Sequence, residues 1–92
     1  MKKKSKKVKQ ALANAFELPL EAAINAVRIV IINNTNIFLE NHKGIKEYTK
    51  QSIRIRTEGF ELAIQGKDME LKNLGAENIA ITGEITGVDF IP

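Results

Sequence analysis

The sequence contains no cysteine and no tryptophan, and only two prolines, Pro19 and Pro92. Without cysteine, neither a disulfide nor a thiolate metal site can support the fold. A reducing compartment suits such a chain. Aromatic residues are scarce: Phe16, Phe38, Phe60, Phe90 and Tyr48. The core must therefore come from Ile, Leu and Val. With 92 residues there is room for one domain and one core. A chain of this size buries roughly 60–65% of its unfolded surface, which makes its stability marginal.

Long apolar runs are missing as well. Ala22–Ile32 is apolar apart from Asn25 and Arg28, well short of the ~20 residues a membrane helix requires. The basic start is followed by no apolar stretch long enough for a signal peptide. A cytoplasmic protein, peripheral at most to a membrane, is expected. Charge of one sign is absent from the opening segment: residues 1–10 carry Lys2, Lys3, Lys4, Lys6, Lys7 and Lys9 and no acid. In the remainder, eight cations face eleven acids. The body is mildly acidic, which disfavours a broad nucleic-acid-binding face there.

Two periodicities organise the chain. Val8, Ala11, Leu12, Ala15 and Phe16 recur at helical spacing and form one apolar stripe. Residues 1–6 read as a flexible basic tail and 7–26 as a helical segment, interrupted at Leu18-Pro19-Leu20. From residue 27 onward the apolar residues alternate, so 27–92 read as the β domain. Eight strands are expected: Arg28–Ile32, Asn36–Asn41, Ile45–Thr49, Ser52–Thr57, Phe60–Gln65, Met69–Lys72, Asn78–Thr82 and Glu84–Ile91. Short, turn-rich connections leave no room for crossover helices, so pairing should be antiparallel. The pattern predicts a small, mainly-β antiparallel sandwich; a β-solenoid is the alternative, disfavoured because the glycines keep no constant spacing.

Side-chain phase adds detail. Ile53, Ile55, Phe60, Leu62, Ile64, Met69, Leu71, Ile79 and Ile81 should face inward. In the last strand the phase slips between Ile85 and the pair Val88 and Phe90, predicting a β-bulge at Gly87. The nearly continuous apolar run Arg28–Ile32 predicts a strand covered on both faces or lying under the N-terminal helix. Tyr48 should lie on the face opposite Ile45.

Chemistry is sparse. His42, the sole histidine, lies in Glu40-Asn41-His42-Lys43-Gly44. Beside Glu40 and near Tyr48 it could join a proton-transfer group, but a polar hairpin tip is the simpler reading. Asp68, Glu70, Glu77, Glu84 and Asp89 are scattered over solvent-facing positions and match no calcium-loop spacing. No phosphate-binding glycine motif is present. The expectation is a non-enzyme with no cofactor and no metal. Asn41, His42, Lys43 and Gly44, together with Arg54 and Arg56, are the candidate interaction residues. Arg54 and Arg56 share one strand face, where pairing with Glu61 or Glu47 would be ordinary. The lysine tail suits an anionic membrane surface. Nucleic acid is the alternative ligand, disfavoured by the lack of a stacking surface. Self-association into a homo-oligomer is a further expectation for a short β domain with open edges.

The order of features resembles a known family. A lysine-rich start leads to Phe16-Glu17-Leu18-Pro19, then Arg28-Ile29, then Leu39-Glu40-Asn41-His42-Lys43-Gly44-Ile45. Ile53-Arg54-Ile55-Arg56-Thr57 follows, then Gly59, Leu62, Ile64-Gln65-Gly66 and Ile81-Thr82-Gly83-Glu84-Ile85. This is similar to the YabP/YqfC family of sporulation proteins, and more to its YqfC branch. Val27 stands where the family often has proline. The resemblance implies an immunoglobulin-like sandwich and a role in endospore formation in the mother cell. It also implies a membrane-protein partner of the sporulation machinery. No catalytic residues are assigned to the family, so it implies none here.

Overall fold

A computed structural model of the chain describes residues 25–92. The predicted tail 1–6 and nearly all of the predicted helical segment 7–26 lie outside the described residues. Every element within them is a strand: β1 (Arg28–Ile32), β2 (Asn36–Glu40), β3 (Gly44–Tyr48), β4 (Ser52–Arg56), β5 (Glu61–Asn73) and β6 (Asn78–Ile91). They form one sheet of order β1-β2-β6-β5-β4-β3, and every pair is antiparallel. Mainly-β antiparallel character is borne out, and the arrangement is not a solenoid. The count of eight strands is corrected to six. Phe60–Gln65 and Met69–Lys72 belong to one continuous strand, as do Asn78–Thr82 and Glu84–Ile91.

The long β5–β6 hairpin organises everything else, and chain geometry requires that it fold double. Glu40 pairs with Asn78, at the closed end of the hairpin. Four residues later Gly44 pairs with Arg56, which pairs with Glu61, which pairs with Ile91 at the open end. Were β6 straight, those ends would lie about 45 Å apart along its axis. Four residues of backbone bridge at most about 14 Å. The hairpin therefore bends midway and brings its two halves face to face. One wing consists of β1, β2 and the closed end of the hairpin. The other consists of β3, β4 and the open end.

Two irregularities mark the bend. Gln65 pairs with Gly87 and Gly66 with Ile85, leaving Thr86 as an extra residue. Lys67 pairs with Glu84 and Glu70 with Thr82, so Asp68 and Met69 oppose Gly83 alone. The bulge expected at Gly87 thus falls one residue earlier. Gly83 (φ +141°) is where backbone crowding demands glycine: a Cβ there would meet Met69 Cα at 2.8 Å and Asp68 O at 2.9 Å. The β1–β2 and β3–β4 turns lie at the bend and seal it. Gly83 and Ile85 donate N–H bonds to the carbonyls of Thr35 and Asn34, at 3.2 and 2.7 Å. Gly66 and Met69 donate to those of Gln51 and Lys50, at 3.1 and 3.0 Å.

The inward residues of both wings form one core: Ile37 and Leu39 on β2, Ile53 and Ile55 on β4, Leu62, Ile64 and Met69 on β5, and Ile79, Ile81 and Ile85 on β6. Ile53, Ile55, Leu62, Ile64, Met69, Ile79 and Ile81 face inward as the sequence predicted, and Leu71 and Val88 pack against the core half-buried. Phe90 departs from expectation. It pairs with Leu62, yet it remains 64% exposed. The open end of β6 has a neighbour on one side only, so no strand covers Phe90 there. Phe60 is its ring partner, 5.5 Å away between centroids. β1 departs too. It is an edge strand, not a central one, and leaves Ile31 and Ile32 about half exposed.

Candidate functional site

The segment Asn41–Gly44 is not a hairpin tip, because β2 and β3 do not pair with each other. It is a strap that carries the chain from one wing to the other. Asn41 turns the backbone with a φ of +70°, a conformation asparagine tolerates better than most residues. Its N–H and that of His42 both donate to the Glu77 carbonyl, at 2.9 and 3.2 Å. Its side-chain amide donates to the Ala26 carbonyl at 3.0 Å, fixing the chain just before β1. Lys43 N–H then donates to the Arg56 carbonyl at 2.8 Å, on the opposite wing. Gly44 (φ +143°) completes the turn into β3.

His42 is buried beneath this strap, 7% exposed. Its Nδ1 accepts the Gly44 N–H at 3.1 Å. The ring thus helps hold the strap's shape as a hydrogen-bond acceptor. Glu40 and Tyr48 are committed elsewhere. Glu40 lies 3.7 Å from Arg28, an exposed pair. Tyr48 accepts the Leu71 N–H at its hydroxyl, 3.1 Å away. The three groups weighed as a proton-transfer set are thus each engaged with a different partner.

Tyr48 also corrects the phase expected of β3. The register shifts between Ile45 and Glu47, so Ile45 opposes Ile55 and Tyr48 opposes Ile53. Both therefore lie on the inward face, where Tyr48 reaches the unpaired edge of β5. This irregularity left no mark in the local sequence that alternation could detect.

Of the candidate interaction residues, the structure brings three together. Lys43, Gly44 and Arg56 meet where the strap enters the second wing. Lys43 and Arg56 line an open depression of about 540 Å³ with Glu58, Phe60, Glu61 and Pro92. Arg54 lies further along the same face, and its guanidinium is taken up by Glu61 at 2.8 Å. The pairing weighed from sequence is thus found. Lys46 holds the other Glu61 oxygen at 2.8 Å. The hydrogen bond from Lys46, then the charges of Lys46 and Arg54, hold the Glu61 carboxyl below its ordinary value of 4.5, against partial desolvation. The outer face of the second wing is thus a charged lattice. Asn41 and His42, by contrast, are structural parts of the strap. The lysines of residues 1–10 lie outside the described residues.

Among the described residues no group of three or more His, Asp or Glu side chains could hold a metal ion. No helix among them is long and apolar enough to cross a membrane. Asp68, Glu70, Glu77, Glu84 and Asp89 are all exposed.

Comparison with known proteins now adds a relationship to this geometry. The YabP family model matches residues 24–92, about three-quarters of the chain. The chain belongs to the YabP family. It is also 25% identical over 91 residues to the uncharacterized protein YqfC of Bacillus subtilis (strain 168), covering 99% of this chain and 98% of that one. The resemblance to the YqfC branch, drawn from the strap and strand motifs, is borne out. No solved structure gives a significant match. In this YabP-family chain, the Glu-Asn-His-Lys-Gly motif that carried the resemblance is the strap joining the wings.

Proposed function

We propose that this protein is a non-enzymatic interaction module of endospore formation, acting in the mother cell with a membrane-protein partner of the sporulation machinery. Membership of the YabP family supports the sporulation role. The observation that carries the interaction role is the division of labour in the site. Glu40, His42 and Tyr48 are each tied to a structural partner. Lys43 and Arg56 are instead displayed together at an open rim. The immunoglobulin-like sandwich that the resemblance implies would be built from the two facing wings. The six lysines of residues 1–10 supply attraction to an anionic leaflet, worth about 1 kcal/mol for each lysine close to the surface.

The test is recovery of the protein with membranes from sporulating cells. The intact chain is compared with a chain lacking residues 1–10 and with the double variant Lys43→Ala, Arg56→Ala. Reduced recovery for either variant supports the reading. Unchanged recovery for both refutes it. Retention of the intact chain on DNA, falling steeply with salt and lost on removing residues 1–10, would instead favour the nucleic-acid alternative.

A further inference from the structure

The outer faces of the two wings differ in kind. On the second wing the outward rows are Arg54, Ala63 and Asp89, then Arg56, Glu61 and Ile91, then Ser52, Gln65 and Gly87. That face is mostly charged or polar and laced by the Lys46–Glu61–Arg54 pairs. On the first wing the central outward row is Val30, Phe38 and Ala80, continued by Lys72. Ile32 extends the apolar surface on one side and Leu74 on the other, respectively 49% and 54% exposed. A cavity of about 250 Å³ opens on this face, lined by Val30, Phe38 and Leu74 among others. An antiparallel sheet with its inner face already in the core ordinarily presents polar residues outward. This face does not.

We propose that the apolar stripe of residues 7–17 of this same chain covers the outer face of the first wing. Three observations select this occupant. First, twenty-four residues precede the described chain, which enters the fold at β1, on the wing with the apolar face. The Asn41 amide fixes Ala26 at that entry point. Second, the dimensions match. The stripe from Val8 to Phe16 is about 12 Å long at helical rise. The three strands β1, β2 and β6 span about 10 Å between their outer axes. Residues 17–27 between stripe and strand reach about 36 Å when extended, ample to fold back. Third, charge is complementary. Lys6, Lys7 and Lys9 flank the stripe, and Glu70 stands in an outward row beside the apolar row, while Glu40 on the other side is already paired with Arg28. This arrangement goes beyond the proposed partner binding and does not depend on it.

Because the chain has no cysteine, introduced pairs report cleanly. Leu12→Cys is combined in the full chain with Ile32→Cys or Leu74→Cys on the first wing, or with Gln65→Cys or Asp89→Cys on the second. Each is mildly oxidised at low protein concentration, and products are resolved by mass and non-reducing electrophoresis. Intrachain disulfide should form at least ~tenfold faster with a first-wing cysteine, because docking raises the local concentration. Equal rates on the two wings would overturn the proposal. Predominant interchain disulfide at the first wing would overturn it too, by assigning the face to a second copy. Limited trypsinolysis is an independent reading. Val30→Lys should accelerate cleavage within residues 1–17 about tenfold relative to Gln65→Lys. No acceleration in Val30→Lys contradicts the proposal.

Discussion

Replacing Gly83 by alanine tests the bend on which the fold depends. Gly83 sits at φ +141°, a region L-residues rarely occupy. A side chain there costs roughly 1–3 kcal/mol in backbone strain. Its Cβ would also press on backbone atoms of Met69, Asp68 and Lys67 at 2.8–3.0 Å. Backbone in the middle of a paired strand gives way less readily than the end of a flexible side chain, and overpacking of this kind adds about 1–3 kcal/mol. The total is about 2–6 kcal/mol, against roughly 5–14 kcal/mol for a chain of 92 residues. At about 4–8 °C per kcal/mol, Tm should fall by at least ~8 °C. Gly75 is the control. It lies in the β5–β6 turn, has no positive φ, and its added Cβ would touch only Asn78 side-chain atoms at 3.6 Å and beyond. Gly75→Ala should therefore stay within about 0.5 kcal/mol of the parent. Urea and thermal unfolding followed by far-UV circular dichroism measure both. Equal stability of the two variants would refute the argument that backbone crowding at Gly83 fixes the bend.

The remaining predictions concern the strap, the charged face and the core. His42→Ala removes the acceptor for the Gly44 N–H and should cost about 1–3 kcal/mol in urea unfolding; Lys43→Ala, one residue on but exposed, should stay within about 0.5 kcal/mol. Because the folded Glu61 carboxyl is held below 4.5, its ion pairs stabilise above that pH, and the contribution is lost as pH falls through the folded value. Glu61→Gln should therefore be less stable than the parent at pH 7, and the gap should close below pH 4.5 when urea midpoints are compared across pH. Ile53→Ala, at a fully buried position, should cost about 2–5 kcal/mol in the same assay.

Much of the core was legible because a strand with one covered face must alternate. Ile53 and Ile55, Ile79 and Ile81, and Leu62 and Ile64 all face inward as read. What alternation cannot convey is where a strand continues through an irregularity. The glycines and polar residues at 66–68 and 83–84 carry turn chemistry, yet both strands run through them and bend. The strap was misread for a related reason. Asn41 and Gly44 do take positive φ, as turn residues should. Whether such a turn closes a hairpin or crosses between wings depends on partners distant in sequence, here Glu77 and Arg56. Tyr48 changed face through a register shift that its neighbours do not announce. The apolar run at β1 left two readings open, and the central one fails because β1 lies at an edge of the sheet. The pairing of Arg54 with Glu61 was legible, being seven residues apart on two strands joined by a tight connection. The role of Lys46 depended on the β3 irregularity and was not.

Methyl–methyl nuclear Overhauser contacts between β2 and β4 decide whether the sheet is folded double. In a flat sheet of this strand order, Ile37 and Leu39 would lie three strand spacings, about 14 Å, across the sheet from Ile53 and Ile55, and further still along the strands. Cross-peaks between these two pairs of side chains are the predicted result. Their absence, with intact cross-peaks between β2 and β6 and between β4 and β5, would contradict the two-wing architecture and the strap that depends on it.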